Sequence, residues 1–128
     1  MNYTIGDYLI RLKNAYLANK QEVIVGNSKL VRLVSDVLKK AGYIADYKQQ
    51  EDKKALEIKL AYGQNSVPAF SQVNLFSKPG RRFYSSSNDL PYPKADGIVI
   101  VSTSNGVMTT IEARKKGFGG EVIAEVKK

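Results

Sequence analysis

The chain has 128 residues, 43% of them hydrophobic, and its 20 lysines and arginines against 12 acids leave a net charge of +8 and a pI near 9.6. That length buries a real core in one or two small domains, and that charge favours a polyanionic partner such as nucleic acid. With no cysteine and no histidine, thiolate and histidine nucleophiles, disulfides and the common zinc sites are excluded, so no enzyme, cofactor or metal site is expected.

Ile5, Tyr8, Leu9, Leu12, Ala15 and Tyr16 recur at helical spacing and predict a first amphipathic helix, with Thr4 as its cap and Asp7 in its first turn. The run EVIV at 22 to 25 predicts a short strand. Asn27-Ser28 then offers a cap, and Leu30, Val31, Val34, Val37, Leu38 and Ala41 mark a second helix ended by Gly42. Tyr43 to Gln50 and Ala55 to Tyr62 predict two strands around the polar turn 51–54, with Leu56, Ile58, Leu60 and Tyr62 on one face. The N-terminal order is therefore αβαββ.

Gly63 to Pro68 reads as a linker, dividing the chain into domains 1–64 and 65–128. The second unit is expected to be β-rich and antiparallel with one short helix, which makes the whole chain α+β. Its elements are a strand in FSQVNLF, a Pro79-Gly80 turn, a basic strand around Arg81, Arg82, Phe83 and Tyr84, the loop SSSNDLPYPKAD, the strand GIVIV and a final EVIAEV. Between the last two strands, Thr109 and Glu112 have capping-box spacing, so TIEARKK is predicted to be a helix stopped by Gly117.

The charge is shared between the halves, with 11 basic against 7 acidic groups in residues 1–64 and 9 against 5 in residues 65–128. Such a distribution suits a broad structured polyanion. No stretch reaches the roughly 18 apolar residues of a transmembrane helix, and the start MNYTIGDYLI carries no basic n-region or apolar h-region. A soluble, cytoplasmic chain with no membrane partner is expected. Neither a P-loop nor GxGxxG occurs, and Gly117-Phe118-Gly119-Gly120 follows a helical run instead of opening one.

The segment VSTSNGVMTT holds the most specific signal. A buried strand is expected to deliver Ser102, Thr103 and Ser104 to its exposed end, and Asn105-Gly106 to turn the chain back through positive φ. Three small hydroxyls on a rigid rim can approach base edges, ribose 2′-OH groups and phosphates; a tight hairpin also simply prefers these residues.

The block GIVIVSTSNGVMTTIEARKKGFGGEV, with LFSKPGRRFY upstream and IGDYLIRLKNA, VIVGNSKL and KKAGYI before it, closely resembles the small-subunit ribosomal protein eight family of bacterial type. The resemblance spans nearly the whole chain. It implies a structural, non-catalytic monomer in the ribosomal particle that binds the central domain of 16S-type ribosomal RNA, helps assemble the platform and meets neighbouring small-subunit proteins. It also implies that Ser102, Thr103 and Ser104 enter the RNA minor-groove side, with Tyr84, Gly119, Gly120 and Glu121 near that surface. Asn105, Thr110-Ile111 and the terminal Lys127-Lys128 depart from the family pattern, which usually has a basic residue, an acid followed by Arg, and an aromatic there. Some bacterial members also repress their own messenger through an rRNA-like site, an alternative reading for this chain.

Lys78, Arg81 and Arg82 are expected phosphate partners, since the next acid in sequence is Asp89. Arg11 and Asn14 on the first helix, with Lys29 and Arg32 on the second, are a possible second RNA-facing edge or a solvated face. Arg114, Lys115 and Lys116 fall where cations complement the carbonyl end of a helix, so helix stabilisation and RNA contact are both open to them. Tyr84 can stack on a base or bury its ring between the domains.

Overall fold

Apolar residues three and four apart need a common face to bury, and they form α1 (Thr4–Leu17) in the computed structural model, which describes residues 4–94 and 96–128. All six of the expected core positions of α1 are buried. The helix begins at Thr4 itself, so the proposed cap position lies inside it; the Thr4 side chain falls outside the described residues. Strand β1 (Glu22–Gly26) follows, then α2 (Lys29–Lys40), whose first turn is closed by Ser28 accepting from the Val31 amide. Two of the residues assigned to the buried face of α2, Leu30 and Ala41, are exposed, and Ser35 is buried instead. The reason is polar: the Ser35 hydroxyl shares a 2.5 Å hydrogen bond with the Tyr8 hydroxyl and donates to the Val31 carbonyl, so it enters the core fully paired.

Strands β2 (Asp46–Gln49) and β3 (Ala55–Lys59) complete an antiparallel sheet in the order β1-β3-β2. Both are shorter than their apolar runs, because Tyr43 and Ile44 are buried ahead of the β2 ladder and Leu60 beyond the β3 ladder. The second sheet has the order β4-β8-β6-β7, built from β4 (Gln72–Leu75), β6 (Gly97–Thr103), β7 (Gly106–Thr109) and β8 (Gly120–Lys127). A two-residue strand, β5 (Tyr84–Ser85), pairs with the start of β8, on the edge whose other end pairs with β4. The short helix α3 (Thr110–Lys116) joins β7 to β8 and stops at Gly117, whose φ of 75° is the left-handed cap that a Cβ disfavours. Thr109 accepts from the Glu112 amide, while the Glu112 carboxylate pairs with Lys116, so only half of the capping box forms.

Gly63 to Pro68 contains a 3-10 turn, Gln64–Ser66, and Tyr62 bridges Pro68 across it. The larger hydrophobic cluster draws on both sides of this segment, combining α1, α2 and β3 with Phe70, Ile100, Ala124 and Val126. Phe70 lies edge-on to Tyr16 and Tyr43, and the Tyr16 hydroxyl both donates to the Tyr43 carbonyl and accepts from the Ala61 amide. The Tyr43 hydroxyl reaches across to the Asp96 carbonyl. A smaller cluster of Leu90, Val99, Val101, Met108, Ala113 and Val122 fills the other face of the second sheet, beneath α3. Strand alternation explains the split: Ile100 points to one cluster, Val99 and Val101 to the other.

Candidate nucleic-acid interface

Antiparallel register places the candidate residues in rows. Ser102 of β6 lies opposite Glu121 of β8, and Glu121 lies opposite Tyr84 of β5. Thr103, Gly120 and Ser85 make the next row. Directly opposed residues share a face, so Tyr84, Glu121 and Ser102 form a line across three strands, about 10 Å from end to end at the usual inter-strand spacing.

This line depends on two glycines. A Cβ on Gly120 would stand 2.1 Å from the Ser102 carbonyl oxygen, and one on Gly119 would stand 2.5 Å from the Ser85 carbonyl oxygen. The pair is small because β8 runs between the backbones of β5 and β6 at that point, which is a packing requirement in its own right.

The rim beyond the line is the β6-β7 hairpin. Its two loop residues are Ser104 and Asn105, since Thr103 pairs with Gly106, and the positive φ belongs to Gly106 at 120° instead of to Asn105. The expected Asn105-Gly106 turn is thus displaced by one residue. The expectation of three outward hydroxyls also changes, because the Thr103 hydroxyl donates to the Gly106 carbonyl at 2.8 Å and accepts from the Asn105 amide at 3.1 Å. Thr103 holds the turn, and Ser104 and Asn105 are the exposed polar groups at the tip.

Upstream, Lys78-Pro79-Gly80-Arg81 is a closed turn with reciprocal backbone bonds between Lys78 and Arg81, and Gly80 takes φ 77° as the position after a turn proline requires. The buried Ser77 hydroxyl anchors it, donating to the Val122 carbonyl and accepting from the Phe83 amide. That bond takes the Phe83 amide out of the ladder while its carbonyl still accepts from the Val122 amide, so the expected basic strand contracts to β5 and Arg81 remains in the turn. Lys78 and Arg81 are exposed, with no ion pair among the described residues. Arg82 differs: it is half-buried and pairs with Glu121 at 3.2 Å. A partner 39 residues away leaves no local signal in sequence. Its effect is to neutralise the acid in the middle of the line, which would otherwise repel a phosphate.

Tyr84 is 70% exposed, which settles its ring on the surface and not between the two halves. Arg114 donates to the carbonyls of Ser87, Asn88 and Leu90, so its charge stabilises the preceding loop instead of its own helix end. Lys116 pairs with Glu112, and Lys115 is exposed. Arg11 and Asn14 line a groove between α1 and β1, with Arg11 donating to the Ile24 carbonyl. Lys29 is exposed at the start of α2, and Arg32 donates to Asn27. These four therefore belong to the first sheet and its helices, apart from the Tyr84–Glu121–Ser102 line.

The family model described as Ribosomal protein S8 matches residues 3–126. The chain is 46% identical to the small ribosomal subunit protein uS8 of Hahella chejuensis and 43% identical to that of Thermosynechococcus vestitus, in each case over 98% of both chains. It is also 43% identical to the protein of that name in Persephonella marina, over 95% of this chain and 96% of the relative. With the αβαββ start, the hairpin rim and the Gly119-Gly120 crossing all lying inside the matched span, the chain belongs to the ribosomal protein S8 family.

Proposed function

We propose that this chain is a structural, non-catalytic constituent of the small ribosomal subunit, a monomer in the cytoplasmic particle that binds 16S-type rRNA. It grips an irregular helix of the central domain, helps assemble the platform and touches neighbouring small-subunit proteins. The observation that carries this reading is the ordered surface of Tyr84, the Arg82-neutralised Glu121 and Ser102, bordered by the Ser104-Asn105 tip and the Lys78–Arg81 turn. An exposed ring, small hydroxyls and unpaired cations on rigid strands suit a nucleic acid that is read by shape, with phosphates positioned by the cations. Domains 1–64 and 65–128 divide the work, the second reading the RNA and the first adding backbone contacts through Arg11, Asn14 and Lys29.

The test is affinity for a central-domain rRNA fragment across a salt series. Affinity is expected to fall steeply, with a log–log slope of roughly 0.7 to 0.9 per neutralised phosphate. Replacing Lys78 and Arg81 together with Gln is expected to reduce that slope by about 1.5 while preserving preference among RNAs. A salt-independent affinity overturns the reading, and stronger competition by the chain's own messenger than by the rRNA fragment shifts it to the repressor alternative.

A further inference from the structure

The loop between β5 and β6 presents a second aromatic ring that the candidate interface does not use. Tyr92 is 66% exposed, yet it is built in. The Arg114 guanidinium carbon lies 4.4 Å from its ring centroid, covering one face. That guanidinium is itself fixed by bonds of 3.2, 2.8 and 3.2 Å to the carbonyls of Ser87, Asn88 and Leu90. Tyr92 stands between Pro91 and Pro93; a following proline confines it to extended backbone, and both prolines remove local freedom. Leu90, buried in the smaller core, anchors the segment.

We propose that the Tyr92 ring, backed by Arg114, is a stacking platform for an unpaired base of the bound RNA. The proposal rests on the RNA-binding reading above and extends it to a new site. The prolines and the guanidinium have already restricted this segment and its ring, so a base stacks on it with little further ordering. The charge behind the ring selects the partner. A cation on one face draws electron density from the other, which favours an electron-rich base and repels a second cation such as a lysine from a protein neighbour. Lys94, two residues after Tyr92, and Lys115, next to Arg114 in sequence, are exposed and offer charge to the phosphates flanking such a base, while the Asp89 carboxylate accepts from the Ser86 hydroxyl.

Binding of the full chain to the central-domain rRNA fragment, compared for wild type, Tyr92→Leu and Tyr92→Phe, tests this. Base stacking on an aromatic contributes about 1 to 3 kcal/mol, so Tyr92→Leu is expected to weaken binding by about 5- to 150-fold at unchanged melting temperature. Tyr92→Phe, which keeps the ring, is expected to bind within about 3-fold of wild type. Chemical probing of the complex is expected to show one unpaired nucleotide that becomes reactive with the Leu variant and stays protected with Phe. If Tyr92→Leu binds as wild type, or loses affinity only as its melting temperature falls, the platform does not exist. A Leu variant that binds RNA normally but enters reconstituted small subunits poorly assigns the ring to a protein neighbour and equally overturns the proposal. In either case a salt-dependent wild-type affinity leaves the RNA-binding reading standing, so the two failures are separable.

Discussion

Replacing Gly120 by alanine perturbs the fold at the point where the candidate interface is assembled. The added Cβ would lie 2.1 Å from the Ser102 carbonyl oxygen, 2.9 Å from its carbonyl carbon and 3.1 Å from the Thr103 Cα. Ordinary contact begins near 3.4 Å, so the closest approach is short by more than an ångström. All three atoms are backbone, and no rotamer change relieves the clash. Relief requires β6 to move away from β8, which stretches about two ladder bonds at ~1 kcal/mol each on top of about 1 to 3 kcal/mol of overpacking. The sum is roughly 3 to 5 kcal/mol, or about 10 to 20 °C in melting temperature for a chain of this size. Thermal unfolding followed by circular dichroism measures it, with Gly26→Ala as the control, because a Cβ at Gly26 meets nothing within 4 Å among the described residues. Gly26→Ala is expected to stay within about 1 kcal/mol of wild type. RNA affinity measured well below the transition is expected to fall for Gly120→Ala and not for Gly26→Ala, since the displaced strand carries Ser102. A Gly120→Ala protein that melts within about 2 °C of wild type refutes the close crossing and, with it, the account of why this glycine pair exists.

Thr103→Ala and Ser104→Ala are expected to separate turn from recognition: the first removes two hydrogen bonds and lowers stability by about 1 to 2 kcal/mol, whereas the second leaves stability within about 0.5 kcal/mol and weakens RNA binding. Equal melting temperatures for both would contradict the role given to the Thr103 hydroxyl. At high pH, burial raises the Tyr8, Tyr16, Tyr43 and Tyr62 hydroxyls above their ordinary range, and the hydrogen bond to the Asp36 carboxylate, followed by burial, pushes Tyr47 up to about 12. Because these folded-state values lie above the unfolded one near 10, their stabilisation is complete below pH 10 and is lost as pH rises from there through about 12 for Tyr47. Denaturant unfolding at a series of pH values is expected to show a falling midpoint above pH 10, and a flat midpoint there would count against the buried tyrosine network.

Periodicity by itself determined most of this fold. The spacing of Ile5 to Tyr16, the Ser28 cap and the alternation of Leu56, Ile58 and Leu60 are local rules, and each holds because one face of an element must be apolar wherever the rest of the chain lies. The glycine at the end of α3 was legible for the same reason, since a left-handed cap is a property of one residue. What only the tertiary structure decided is which polar groups are already used. Ser35 is buried because Tyr8 meets it 27 residues away, Arg82 is paired because β8 brings Glu121 beside it, and Arg114 is bound because the loop at Ser87 to Leu90 folds under α3. The hairpin hydroxyls look alike in sequence, yet the turn closes one residue earlier than the Asn105-Gly106 pair suggests and takes Thr103 for itself. Hydrogen bonds and ion pairs are satisfied by proximity in space, so their partners become visible only when the strands have set the rows.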